Sequence, residues 1–69
     1  MTAQAALFDN KKFSIRDGQL WLQQRGLRQI KPVHKTKNYW RFRLEDPDLF
    51  SRFYTISPQE GIKIVYGVD

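Results

Sequence analysis

Basic and aromatic residues that could contact an anionic partner are concentrated between Arg28 and Glu45. This stretch, RQIKPVHKTKNYWRFRLE, holds six of the twelve Lys and Arg residues and the single histidine. Guanidinium groups bind phosphate through charge-assisted hydrogen bonds, and an exposed aromatic ring can stack on a nucleobase. The residue types therefore predict a surface for an anionic partner, of which nucleic acid is the most familiar example.

The run from Tyr39 to Glu45 alternates with a period of two, which is the period of a β-strand. Trp40, Phe42 and Leu44 fall on one side, and we predict that this side faces the core. The opposite side carries Tyr39, Arg41, Arg43 and Glu45, with successive side chains ~6.6 Å apart along the strand.

A first strand from Gln29 to Lys35 is predicted to pair with this strand through a turn at 36–38. Pro32 favours an edge position, because proline cannot donate a hydrogen bond to the sheet. We predict that Lys31 and Lys35 share one face of this strand. The resulting hairpin, residues 31–43, is the predicted nucleic-acid-binding element, and the predicted site residues are Arg28, Lys31, His34, Lys35, Lys37, Tyr39, Arg41 and Arg43.

His34 also suggests a general base, because histidine is the usual residue for proton transfer near neutral pH. The sequence offers no second histidine, and no nucleophile and base at a useful spacing. We therefore predict a phosphate contact at His34 and no catalytic residue. Glu45, Asp46 and Asp48 are adjacent, but a helix cap explains the aspartates without an ion. No metal or cofactor is expected.

The charge is divided unevenly along the chain. The protein carries a net charge of +5, but residues 11–43 carry +9 and residues 44–69 carry −3. One strongly basic half is typical of a protein that meets nucleic acid or another phosphate-rich partner. The alternative is a basic surface that is merely solvated, with Glu45 pairing to cations across the hairpin.

Length and composition limit the architecture. A chain of 69 residues forms one domain, and without cysteine it has neither disulfides nor a cysteine zinc site. No apolar run reaches the ~20 residues of a membrane span, and the start of the chain lacks the pattern of a signal peptide. The expectation is a soluble, cytoplasmic protein that does not associate with a membrane.

The remaining elements are predicted from capping and turn signals. A helix is predicted from Ser14 to Arg25. Ser14 and Asp17 form a capping box at its start, and Gly26 follows its C-terminus. Asp46 and Pro47 begin a short helix, 52–56 and 62–68 are strands, and residues 1–13 are expected to be flexible or loosely docked. We therefore predict an α+β domain over residues 14–69, with a small antiparallel sheet of three or four strands and one main helix on one face. The predicted order is α-β-β-(short α)-β-β.

Two resemblances add to this interpretation. The segments HKTKNYWRFRLEDPDLF and GIKIVYG, together with Trp21-Leu22 and Gly26-Leu27, resemble a group of small uncharacterised phage and mobile-element proteins. This resemblance implies a viral origin, and the host cytoplasm as the location. The layout helix, Gly-Leu, strand, histidine, strand is also similar to HicA-type mRNA interferases, in which a Gly-Ser pair precedes the histidine. Here Pro32 and Val33 precede His34.

Three functions follow from these observations. The first is a small, non-enzymatic accessory protein that binds DNA or RNA through the hairpin. The second is an inhibitor or modulator that docks on a host protein, such as a defence nuclease or a polymerase. It would place its basic face in an acidic groove, or its aromatic termini would supply the main contacts. The third, implied by the HicA resemblance, is a ribonuclease that depends on His34. The sequence leaves the oligomeric state open.

Overall fold

Seven elements follow one another in the computed structural model, which describes residues 1–69. They are β1 (Thr2–Asp9), α1 (Ile15–Gln24), β2 (His34–Lys35), β3 (Tyr39–Arg43), a 3₁₀ turn (Pro47–Leu49), β4 (Arg52–Gln59) and β5 (Ile62–Val68). The strands form one antiparallel sheet in the order β2-β3-β1-β5-β4. The predicted α+β class is confirmed, but the sheet has five strands where three or four were expected.

The prediction of a flexible or loosely docked segment at residues 1–13 is wrong. Thr2–Asp9 is the central strand, paired with β3 on one side and β5 on the other, so the domain begins here and not at residue 14. The alanine-rich segment has little intrinsic preference for a strand. Pairing on both edges and complete burial of Phe8 override that preference.

A β-bulge at Gln4 hides the strand pattern of β1. The pairing with β5 shifts between Ala3 and Ala5, and residues 4–6 are all buried. The carbonyl of Gln4 accepts hydrogen bonds from the amides of Leu44 (2.8 Å) and Glu45 (3.1 Å). Its side-chain amide donates to the carbonyl of Glu45 at 3.0 Å. Three consecutive buried residues break the alternation by which a strand is recognised.

The predicted helix is confirmed as Ile15–Gln24, with Ser14 as its N-cap. The amide of Asp17 donates to Ser14 Oγ at 3.0 Å, and the amide of Ser14 donates to a carboxylate oxygen of Asp17 at 2.9 Å. Hydrogen bonds from the Ser14 backbone and side chain hold the pKa of Asp17 below its ordinary value. Gly26 follows the helix with a φ of 70°, the left-handed conformation that glycine adopts at low cost.

The helix packs against the sheet around the ring of Phe8. Phe13, Trp21 and Phe42 make edge-to-face contacts with it, with centroids 5.4–5.7 Å away. Phe42 and Leu44 are buried, and Trp40 packs against them, as the alternation of β3 predicts. Trp40 Nε1 also donates to the carbonyl of Phe13 at 2.8 Å, which ties the start of α1 to β3.

Three boundaries differ from the predicted ones. The strand predicted over Gln29–Lys35 contains only His34 and Lys35, because Pro32 interrupts it, although its edge position is confirmed. The strand predicted to end at Ile56 continues to Gln59, since a bulge between Ile56 and Gln59 absorbs Pro58. The short helix is a single 3₁₀ turn capped by Asp46. Neither helical segment has the length and apolar character needed to cross a membrane.

Candidate functional site

The sheet has two different faces, and the predicted basic residues divide between them. The face under α1 carries Phe42, Ala6 and Ile64 side by side across β3, β1 and β5. Neighbouring residues along each strand point the opposite way, so Tyr39, Arg41 and Arg43 lie on the other face. We call this side, which α1 does not cover, the outer face.

A concavity of about 220 Å³ opens on the outer face at the edge formed by β2 and β3. It is lined by Lys31, Pro32, His34, Arg41 and Arg43. His34 is paired directly with Arg41, which places their side chains ~5 Å apart at Cβ. We call the four side chains that can carry positive charge, Lys31, His34, Arg41 and Arg43, the basic cluster.

Main-chain contacts hold the loop before β2 beside β3. The amide of Ile30 donates to the carbonyl of Arg43 at 2.9 Å, so the chain passes next to Arg43 just before Lys31. The turn at the other end is closed by Thr36, whose Oγ1 and amide both donate to the carbonyl of Tyr39 at 2.9 Å. Asn10 Nδ2 donates to the carbonyl of Lys37 at 3.1 Å, which anchors the turn to the end of β1.

No carboxylate neutralises the basic cluster. The one salt bridge in the structure joins Lys12 to Glu60 at 2.8 Å. Lys12 follows β1, and Glu60 lies in the turn between β4 and β5. This pairing raises the pKa of Lys12 and lowers that of Glu60, chiefly through the hydrogen bond between their side chains. The predicted pairing of Glu45 with cations across the hairpin is wrong, since Glu45 takes part in no salt bridge.

Four of the eight predicted site residues do not line the concavity: Tyr39 lies on the outer face beyond it, and three others lie elsewhere. Lys35 is paired with Trp40, so it points to the face under α1, and the prediction that it shares a face with Lys31 is wrong. Arg28 borders a second hollow beside Leu27, Ile30 and Leu44. Lys37 is exposed in the turn before β3. The remaining five, Lys31, His34, Tyr39, Arg41 and Arg43, are on the outer face or border it.

Lys63 belongs to the outer face, although the sequence did not single it out. It is paired with Leu7, which is in turn paired with Arg41, so the three residues form one row across β5, β1 and β3. Its Nζ lies 5.3 Å from the centroid of the Tyr39 ring, within the range of a cation–π contact. Alternation along β5 places Lys63 on the other face of the sheet from Ile62 and Ile64. The strand order then brings Lys63 near Tyr39.

No protein-family model, curated protein or solved structure matches the chain. Charge and geometry are therefore the basis for assigning a role to the outer face.

The chemistry that the outer face offers is the donation of hydrogen bonds and positive charge. His34 is exposed, and its ring takes part in no side-chain hydrogen bond; those donated by Gln29 and Thr36 go to main-chain carbonyls. No three His, Cys, Asp or Glu side chains form a group that could hold a metal ion. Two guanidinium groups and an ammonium group around one hollow suit an oxyanion such as a phosphodiester.

Proposed function

We propose that the protein binds nucleic acid through the phosphate backbone, and that the basic cluster on the outer face is the binding site. The observation that carries this proposal is the convergence of Lys31, His34, Arg41 and Arg43 on one concavity without a carboxylate partner. The preference of Arg and Lys for phosphate oxygens then defines the class of ligand.

Repulsion among the cations of the unbound protein favours an anionic ligand at this site. Cations that share a hollow repel one another, and acidic side chains usually offset that repulsion when charge serves stability alone. Here the acids of residues 44–69 stay outside the concavity. A phosphodiester bound in the hollow would relieve this repulsion. The nucleic acid would also release the counterions condensed on it, and this release favours binding at low salt.

Tyr39 and Lys63 extend the proposed contact beyond the concavity. Both lie on the outer face, Tyr39 at the start of β3 and Lys63 on β5. A nucleic-acid strand that runs from the basic cluster toward β5 would contact Lys63. One of its bases could stack on the partly exposed ring of Tyr39. Such contacts depend little on sequence, so we expect binding with weak base preference.

Titration of a fluorescent oligonucleotide with wild-type protein and with Arg41→Ala/Arg43→Ala tests the proposal. Two partly exposed phosphate contacts worth ~0.7 kcal/mol each predict affinity about tenfold lower for the double variant. The matched control is Lys11→Ala/Arg16→Ala, which removes the same charge from exposed residues outside the concavity. We expect it to stay within about twofold to threefold of wild type, because remote surface charges are largely screened.

Two outcomes would contradict the proposal. Absence of binding to both DNA and RNA at low salt would exclude nucleic acid as the ligand and leave an acidic protein surface as the partner of the basic cluster. Equal weakening by the two double variants would show that net charge alone drives binding and that the concavity is not the site.

A further inference from the structure

β4 leaves one edge of the sheet open along its whole length. It pairs with β5 on one side, has no strand on the other, and all of its eight residues are exposed. Phe53, Tyr54 and Ile56 are large side chains that remain 45–48% exposed. An edge strand of this kind offers unpaired main-chain donors and acceptors together with apolar side chains.

The usual protections against strand pairing are missing from the first six residues of β4. Edge strands are commonly blocked by charged side chains, proline, bulges or a covering segment. In β4 the bulge and Pro58 lie near the end of the strand, beyond Ile56. From Arg52 to Ser57 the only charged residue is Arg52, at the start.

We propose that β4 is a self-association edge, on which β4 of a second copy pairs antiparallel about a two-fold axis at Thr55. The axis is perpendicular to the sheet, so the two five-stranded sheets become one continuous sheet. This inference does not depend on the nucleic-acid proposal, because the basic cluster lies at the opposite edge, on β2 and β3.

The length and sequence of β4 favour a second copy as its partner. The other free edge of the sheet is β2, which has only two residues, so a head-to-tail contact would pair very few residues. With the axis at Thr55, Tyr54 of each copy lies opposite Ile56 of the other, on the side that carries α1. Pairs of an aromatic and a β-branched residue stabilise adjacent strands. Arg52 then lies opposite Pro58 of the other copy, and no like charges meet.

Charge distribution also permits this association. The positive charge is concentrated in residues 11–43, whereas residues 44–69, which include β4, carry −3. Pairing through β4 keeps the two basic clusters at the far ends of the joined sheet, well beyond the ~8 Å over which charges interact at physiological salt. Repulsion between the copies is therefore small, although each has a net charge of +5.

The expected dimer is weak and depends on concentration. Six residues of an antiparallel strand extend over about 20 Å. A contact along one strand buries less than the ~800 Å² per partner of a standard stable interface. We therefore expect an equilibrium between monomer and dimer.

Sedimentation velocity over a concentration series measures this equilibrium. For wild type, we expect the mass to rise from 8.3 kDa toward twice that value as the protein is concentrated. Thr55→Lys places two ammonium groups face to face across the axis, so we expect the monomer mass throughout. The matched control is Gln59→Lys, which adds the same charge to the same strand beyond the bulge and should associate as wild type does.

A second variant keeps the proposal testable if Thr55→Lys does not fold. The chain contains no cysteine, so Thr55→Cys introduces a single thiol beside its own counterpart at the axis. Under mild oxidation we expect a disulfide-linked dimer, since paired Cβ atoms at this position lie near the separation that a disulfide needs. Gln59→Cys should cross-link far more slowly.

A wild-type protein that stays at 8.3 kDa at every concentration would overturn the proposal and leave the edge to a strand from a different protein. Equal association of wild type and Thr55→Lys would overturn it as well, because the contact would then lie elsewhere. Equal cross-linking of the two cysteine variants would exclude the axis at Thr55.

Discussion

At the scale of single residues, the side chains of β3 have two roles. Alternate residues point to opposite faces of the sheet, so one set packs in the core and the other lies on the outer face. Phe42 is completely buried and packs on Phe8, whereas Arg41 and Arg43 line the concavity on the outer face. The packing on the buried side leaves no spare volume. A Cβ on Gly18 of α1 would lie 2.7 Å from Cε2 of Phe42, so glycine is required there for close approach and not for an unusual φ.

Gly18→Ala should therefore destabilise the protein, although alanine is the better helix former. The helix gains about 1 kcal/mol from the substitution, whereas overpacking of a core costs ~1–3 kcal/mol. We expect a net loss of about 1 kcal/mol in the free energy of unfolding, measured by urea denaturation. In a Phe42→Leu background the loss should shrink, and Gln19→Ala, at an exposed position of α1, is the control. A stabilised Gly18→Ala variant would contradict the close packing.

At the scale of elements, β1 organises the sheet. It separates the β2-β3 hairpin from the β4-β5 hairpin and pairs with one strand of each. The β2-β3 hairpin was predicted from turn and alternation signals, because its two strands are close in sequence. β1 pairs with residues 30 or more positions away, and no local signal marks such a partner.

Phe8→Ala tests whether β1 is as central as its position indicates. Phe8 is fully buried and contacts three other rings, so its removal should cost about 3–5 kcal/mol in the free energy of unfolding. This is a large part of the ~5–15 kcal/mol that stabilises a typical domain. Leu20→Ala, at a position 43% exposed, should cost less than about 0.5 kcal/mol. Similar unfolding midpoints for the two variants would contradict a central β1.

At the scale of the whole molecule, the two free edges of the sheet carry different surfaces. The β2-β3 edge carries the basic cluster, and the β4 edge carries Phe53, Tyr54 and Ile56. If both proposals hold, dimers formed through β4 present two basic clusters that face away from the joined edge. One long nucleic acid could then engage both sites, and the second contact would benefit from a high effective concentration.

The salt dependence of binding reports on the charge of the whole outer face. Four cations on the outer face, Lys31, Arg41, Arg43 and Lys63, predict a slope of about −3 in a plot of log K against log salt concentration for a single strand. Arg41→Ala/Arg43→Ala should reduce the magnitude of the slope by ~1.4, because two phosphate contacts are lost. Affinities for an oligonucleotide shorter than the distance between two sites, measured at several salt concentrations, provide the slope. A slope near zero would contradict a phosphate-based contact.

The elements that the sequence predicts correctly are those whose signals are local. The capping box at Ser14 and Asp17, the glycine after α1, the parity of β3 and the β5 strand are all as predicted, since each depends on residues within one turn or one strand. The sequence also located the basic residues of the outer face, with Lys63 as the exception.

The way in which these elements meet depends on long-range pairing in the folded chain. Pairing across long sequence separations made residues 2–9 the central strand and brought Lys63 near Tyr39. The short β2 set which side chains share the concavity, because it turned Lys35 to the helix face and left His34 beside Arg41. Strand order and register depend on the sum of many distant contacts, whereas a cap or an alternation is decided by neighbours along the chain.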